Sequence, residues 1–428
     1  MKQIPRIVIV GGGVAGLEVA TYFGNKMGKQ GKAQVTLIDR SSLHVWKPML
    51  HTFAAGTANA HQQGIPFFAQ AKRNHFNFMP GELSTLDRAR RFIEIKPPTL
   101  SAEPLEPRRF DYDILVLAMG SRANDFGIQG VSGNCFFIDD LCQAETFNQR
   151  LRGEVLHAAM SGGTIDIAIV GGGATGVELA AEISQLVEIG STYGAAAQPA
   201  RLRLTLIETS PRILGGFPEA VSTLASAKLH ELGVDIRTDT TVIGVDADGF
   251  MLKGGERVNA MLKVWAAGVR APAVLDGIDG LQRARTGQLV TRPTLQLIDD
   301  DRVFALGDCA SLTLPGNDRP LAPTAQVAHQ QASHLCQNLP RFLRGQPIKS
   351  FEFHDLGALV SLGGYGAYGT MARRGMLPAT LIRGWVAQIG HAMLYRQHQF
   401  GLNGLRRGSL IWLSDILNRV VQPRIRLD

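Results

Sequence analysis

The chain has 428 residues, of which 45% are hydrophobic and 19% charged, and a formal net charge of +7. That length can bury a large core and divides into two or three domains, and the composition excludes a disordered or low-complexity protein. No apolar run reaches the roughly 18 uninterrupted residues of a spanning helix, which predicts a chain that does not cross a membrane.

The first element is an apolar run, Arg6-Ile7-Val8-Ile9-Val10, preceded by only five residues. No targeting segment is therefore expected before the first strand. It is followed by Gly11, Gly13 and Gly16, in the spacing GxGxxG, and by a helix predicted from about Ala15. A second strand over residues 34–38 ends at Asp39. An acid at that position accepts hydrogen bonds from an adenosine ribose. Strand, glycine turn, helix, strand and acid in this order form a dinucleotide-binding unit. The glycines let the backbone approach a pyrophosphate, and the helix N-terminus offers unpaired N–H groups and the positive end of its dipole.

An apolar strand, Ile114-Leu115-Val116-Leu117, then leads into a glycine turn at Gly120. The whole unit recurs. Residues 165–170 precede Gly171, Gly173 and Gly176, and a strand over residues 202–207 ends at Glu208. Residues 190–199 read as an inserted loop that lengthens the spacing from fingerprint to acid. Glu208 suits a free ribose 2′-hydroxyl and repels a 2′-phosphate, which favours NADH over NADPH, with Arg212 close enough to soften the repulsion. Strand 262–265 runs into Gly268, in a near copy of the Gly120 turn. Residues 302–306 lead to Gly307 and Asp308. That aspartate can serve a ribityl chain in a flavoprotein, or simply cap the next helix.

Two dinucleotides held by one chain point to electron transfer between them. The predicted fold is α/β: two Rossmann-like dinucleotide-binding domains, one nested in the other, plus a C-terminal amphipathic helical segment for membrane association. The expected boundaries are 1–150 with 289–380 for the first domain, 151–288 for the second, and 381–428 for the anchor. The four cysteines (135, 142, 309 and 336) form neither a CxxC pair nor a metal-ligand spacing, so they read as reduced cytosolic thiols and no metal is expected.

From Ala372 onward there are nine arginines against two acids, so the excess charge of the whole chain lies in this segment. Residues 381–421 mix arginine with Trp385, Ile389, Met393, Phe400, Leu405, Trp412, Leu413, Ile416, Leu417 and Val420 at near-helical spacing. Apolar bulk of that kind suits a helix lying in an anionic membrane surface rather than a nucleic-acid arm. Packing on the body, or across a homodimer contact, is the plain alternative.

The two fingerprints, together with Ala118-Met119-Gly120, Trp265-Ala266-Ala267-Gly268, Gly307-Asp308 and Ala325-Gln326-Val327-Ala328-His329-Gln330, resemble the type II NADH:quinone oxidoreductases, the single-subunit, non-pumping NADH dehydrogenases of bacterial membranes. The resemblance covers essentially the whole chain. It implies FAD in the first unit, NADH in the second, a membrane quinone as acceptor, and a peripheral place on the cytoplasmic face of the inner membrane. It also implies a role for Glu178 near the nicotinamide and flavin, although a glutamate in the first turn of a helix equally complements the dipole. Gln326 and Gln330 then fall at the quinone end of the flavin, and Lys47 in the loop that wraps over FAD. Two other readings remain at this stage. A sulfide:quinone reductase would need Cys135 and Cys336 to meet at the flavin, and a nucleotide-sensing protein would hold FAD and NADH without turnover. Quinone type, oligomeric state and kinetic order are not written in the sequence.

Overall fold

A computed structural model describes residues 4–98, 105–192, 201–373 and 377–421. The chain divides into two compact units. The first comprises residues 1–46, 63–122 and 269–353, and the second residues 47–62, 123–268 and 354–428.

In the first unit a six-stranded sheet runs in the order Gln296–Leu297, Asp300–Ala305, Ile114–Leu117, Arg6–Val10, Gln34–Asp39, Asn77–Pro80. Every pair is parallel except the antiparallel one between Gln296–Leu297 and Asp300–Ala305. Ile7 to Val10 and Ile114 to Leu117 are all buried, as strands covered on both faces must be, and this is why they read as continuous apolar runs. Sequentially adjacent strands lie to one side of Arg6–Val10 and later ones to the other. The Gly11 turn therefore opens at the carboxyl end of the sheet, where the strand order reverses and doubly wound folds bind ligands. Helix Val14–Phe23 follows and packs on helix Ala325–Phe342. A core of Val8, Ile38, Ile93, Leu115, Leu275, Leu289 and their neighbours fills one face of the sheet.

The second unit repeats the plan on a four-stranded parallel sheet, Val234–Arg237, Arg201–Ile207, Thr164–Val170, Leu262–Trp265. Helix Ala174–Thr192 follows its fingerprint. Helix Leu50–Ala55 packs on both Leu141–Ser161 and Ala174–Thr192, and Asn148 Nδ2 donates to the Ala54 carbonyl at 3.1 Å. These contacts group residues 47–62 and 123–150 with the second unit. Ala271, Leu275, Ile278 and Leu281 lie in the first unit's core. The division therefore falls differently from the expected boundaries at 150, 288 and 380. Most of the inserted loop expected at 190–199 lies outside the described residues.

The C-terminal region begins with an antiparallel meander, Gly357–Ser361, Ala367–Arg373, Leu377–Arg383. Leu381 thus sits in a strand, and the helix expected from that residue starts at Trp385 and runs to Val421. Gly404 breaks it, with φ 71° and ψ 169° that no L residue adopts easily. The first arm buries polar residues, and both arms expose apolar ones. Arg396, His398 and Gln399 are buried, while Trp385, Ile389, Met393, Leu405, Leu410, Leu413 and Leu417 are exposed. The Arg396 guanidinium donates to Gln399 Oε1 at 2.6 Å and to Asp415 Oδ2 on the second arm. Replacing Asp415 with Ala leaves a buried guanidinium without its carboxylate, a loss of about 3 kcal/mol. Limited proteolysis of D415A is expected to cut near Gly404 well before the parent chain is cut.

Candidate functional site

The two fingerprints are built alike. Gly11 adopts φ +99°, and a Cβ there would stand 2.2 Å from the Ala118 carbonyl oxygen. Gly16 brings its Cα against the Gly11 carbonyl, where a Cβ would come within 1.8 Å. Gly171 and Gly176 repeat both constraints against Ala266 and the Gly171 carbonyl. The middle glycines differ, because a Cβ on Gly13 or Gly173 would meet nothing within 4 Å. They face open space, the side from which a ligand reaches the backbone.

The strand-end acids hold these turns. Asp39 Oδ2 accepts from Gly12 N at 2.6 Å and Oδ1 from Ser41 N at 2.8 Å. In the second unit Glu208 Oε2 accepts from Gly172 N at 2.7 Å and Oε1 from Ser210 N at 2.8 Å. Each carboxylate oxygen keeps lone pairs for hydroxyl donors. Burial pushes the Asp39 carboxyl up from its ordinary range, against the pull of the Gly12 and Ser41 N–H groups. Helix Val14–Phe23 starts at Gly13 with no side-chain cap, so the N–H groups of its first turn await an acceptor. An open glycine, an uncapped helix start and a strand-end carboxylate fit the pyrophosphate and ribose of an adenine dinucleotide.

Of the other expected residues, Gly120, Asp308, Gln326 and Gln330 belong to the first unit. Gly120, at φ +68°, faces open space, and the neighbouring Ser121 Oγ donates to Asp308 Oδ2 at 2.7 Å. The element after Asp308 is the strand Ala310–Ser311, not a helix, so Asp308 is no N-cap; Thr324 caps the next helix, accepting from Val327 N. Gly307 packs against Ala328, and its N–H donates to buried Gln331 Oε1 at 2.7 Å. Gln326 and Gln330 occupy the first turns of that helix, with Gln330 Nε2 3.4 Å from Gln326 Oε1. His329 between them pairs with Glu18 of the fingerprint helix at 2.8 Å, which raises the imidazole pKa and ties the two helices together. Lys47 lies in the short turn Lys47–Met49, grouped with the second unit.

In the second unit Gly268 adopts φ +63° beside the Phe126 ring. Arg212 donates to the carbonyls of Leu214 and Gly215 at 3.1 and 2.9 Å, which turns it into its own loop rather than toward Glu208. Glu178 is buried, and Oε1 accepts from Ser361 N at 2.9 Å. His51 Nδ1 lies 3.3 Å from Oε2 and His391 Nε2 3.7 Å from Oε1. Burial pushes the Glu178 carboxyl up to about 8, helped by nearby Glu182, which burial raises in turn. Burial pushes His51 down to about 3, and lowers His391 as well. Burial therefore disfavours charge throughout the group and shifts Glu178 toward its protonated form.

The sequence reading missed His51, His391 and Ser361, which join Glu178 from three distant segments. The available signal was the pair Glu178 and Glu182, two acids one helical turn apart in an otherwise apolar stretch. Three of the four thiols are unsuited to nucleophilic chemistry at neutral pH. Burial pushes Cys309 up to about 11 and Cys135 up to about 12, and raises Cys336 as well. Cys135 and Cys336 belong to different units. Among the described residues no cluster suits a metal ion, and no helix is long and apolar enough to cross a membrane.

A fold with two clamped fingerprints defines a two-nucleotide oxidoreductase, and residues 5–332 match the family model described as pyridine nucleotide-disulphide oxidoreductase. A type II NADH:quinone oxidoreductase of Haemophilus influenzae is 38% identical, covering 98% of this chain and 99% of that protein. The chain belongs to the type II NADH:quinone oxidoreductases. Its fold matches that of NDH2 from Plasmodium falciparum, solved in complex with NADH, with a TM-score of 0.83 at 18% identity, over 99% of this chain and 100% of that one. The sulfide:quinone oxidoreductase of Aquifex aeolicus also shares the fold, with a TM-score of 0.75 at 18% identity, over 98% and 96%.

The expectation that Glu208 favours NADH over NADPH is open to a direct test. The double change Glu208→Gln, Thr209→Arg is expected to raise kcat/KM for NADPH about tenfold and lower that for NADH. Steady-state kinetics with both coenzymes check it.

Proposed function

We propose that this chain is a peripheral membrane flavoenzyme that oxidises NADH and reduces a quinone through FAD, without moving protons across the membrane. The observation that carries the reading is the duplicated fingerprint, each copy closed by a strand-end carboxylate on its own glycine turn. Membership of the type II NADH:quinone oxidoreductases supports the substrates. In this reading Asp39, Gly13, Gly120 and Asp308 hold FAD, and Glu208, Gly173 and Gly268 hold NADH. FAD, when bound, supplies the redox chemistry by accepting hydride from NADH and passing two electrons to the quinone. The protein's residues orient the partners and manage protons. Gln326 and Gln330, backed by the His329–Glu18 pair, are proposed to face the quinone.

The overall reaction converts NADH, quinone and one proton to NAD+ and quinol. Glu178 is the group proposed to hold that proton, because burial and nearby Glu182 disfavour its anion against the opposing pull of the Ser361 N–H. Glu178→Gln keeps the shape and removes the acid. Quinone turnover is expected to fall about a hundredfold, while NADH still bleaches the bound flavin in the absence of quinone. The same substitution has a stability signature. The folded carboxyl holds its proton to about pH 8, against an ordinary value of 4.5. Its contribution is therefore complete below pH 4.5 and is lost as pH rises through about 8. Denaturant titrations across that window are expected to give a flatter pH dependence for Glu178→Gln than for the parent chain.

The C-terminal hairpin is proposed to lie in an anionic lipid surface on the cytoplasmic side. Its outward residues include Trp385 at 71% and Leu405 at 78% exposure, with Arg406 and Arg407 beside them. Polar groups inside and apolar groups outside is the arrangement an apolar surrounding favours. A chain ended at residue 383 is expected to stay in the supernatant when anionic vesicles are sedimented, and to retain FAD. A second copy of the chain is the competing occupant. A full-length protein that dimerises and ignores vesicles would put a homodimer contact in place of the membrane.

A further inference from the structure

The first fingerprint contains a hydrogen bond with no role so far. Buried His44 has its Nδ1 2.8 Å from the Gly12 carbonyl oxygen. That carbonyl can only accept, so Nδ1 carries the proton. The corresponding carbonyl in the second fingerprint, that of Gly172, accepts from the backbone N–H of Leu214 at 2.6 Å. Both turns are therefore gripped at two successive peptides. The N–H side is held by the strand-end acid, and the C=O side by a donor from the segment that follows. Only the first unit uses a side chain for the second grip.

The grip on the carbonyl has a geometric consequence. In a trans peptide the C=O of one residue and the N–H of the next point in opposite directions. Fixing Gly12 C=O toward His44 therefore aims Gly13 N–H the other way. Gly13 is the glycine with open space around it, on the side where a pyrophosphate oxygen would approach.

The imidazole is itself fixed. Ser41 Oγ donates to the Leu43 carbonyl and accepts from Leu43 N, which turns the chain back after Asp39. Leu43–His44 then pairs with Ile65–Pro66. The ring meets Phe67 edge-on at 6.2 Å, and Phe67 lies directly under Gly12 and stacks on Phe78 at 4.9 Å. A side chain so braced can orient a peptide rather than follow it.

We propose that His44 is a positioning residue for the FAD diphosphate, holding the Gly12–Gly13 peptide in the orientation that presents its N–H to the ligand. The proposal rests on FAD occupying the first unit. Asn places an amide N–H the same number of bonds from Cα as His Nδ1, whereas Leu supplies bulk and no donor. FAD titrated into apoprotein, followed by flavin fluorescence, is expected to show about tenfold weaker binding for His44→Leu and near-parent binding for His44→Asn. NADH binding by the second unit is expected to be unchanged in both. Parent-like FAD affinity in His44→Leu, or equal weakening in His44→Asn, overturns the proposal. An apoprotein that takes up no FAD even without substitution overturns the functional reading as well. Imidazole nitrogen shifts of histidine-labelled protein give an independent readout that needs no variant. They are expected to report Nδ1 of His44 as protonated, and the opposite tautomer overturns the proposal even if the variants fail to fold.

Discussion

A single interaction, the hydrogen bond from the second glycine's N–H to the carboxylate at the end of the next strand, organises both halves of the molecule. It links Gly12 to Asp39 and Gly172 to Glu208. One carboxylate thereby does two jobs. It shapes the glycine turn, and in the proposed function its remaining lone pairs would also meet a ribose. Recognition of sugar and of phosphate would then be coupled through one contact, and a 2′-phosphate would be repelled.

This coupling explains what the sequence made legible. Strand, glycine turn, helix and acid are contiguous, and each carries a backbone requirement that only a few residue types meet. Both fingerprints, Asp39, Glu208 and the Gly120 and Gly268 turns could therefore be read directly. The neighbourhood of Glu178 could not. His51 and His391 reach it from segments more than a hundred residues away on either side, and nothing in their local spacing announces the meeting. Asp308 lay between these cases. Its glycine context was visible, but the strand that follows it and its partner Ser121, 187 residues away, were not. Leu381 misled for another reason. Leu377–Arg383 carries apolar residues and arginine in proportions that suit a strand as well as a helix, and pairing with Ala367–Arg373 decided the matter.

The buried carboxyl and its histidines have a chemical logic that fits the reaction. Hydride transfer from NADH leaves quinol formation one proton short. A carboxylate open to water would be ionised near neutral pH and could not supply it. Glu178 is removed from water and beside a second buried acid, so its proton is retained to about pH 8. His51 is fully enclosed, while His391 keeps about a quarter of its side chain exposed, at 26%. Of the three, His391 alone is more than marginally exposed, and in the proposed function it is the side from which solvent reaches the group.

Magnitudes also decide how the hairpin would hold a lipid surface. A large apolar side chain contributes about 1.5–3 kcal/mol when fully withdrawn from water, and an arginine near an anionic surface about 1 kcal/mol. Trp385, Ile389, Leu405, Leu410, Leu413 and Leu417 are each 46% or more exposed. Half-burial of six such groups already outweighs what Arg406 and Arg407 supply. In the proposed docking, apolar contact would therefore set the strength of the association, and the arginines would favour an anionic surface. The ion pair of Arg396 with Asp415 turns these two charges inward and ties the arms together across Gly404.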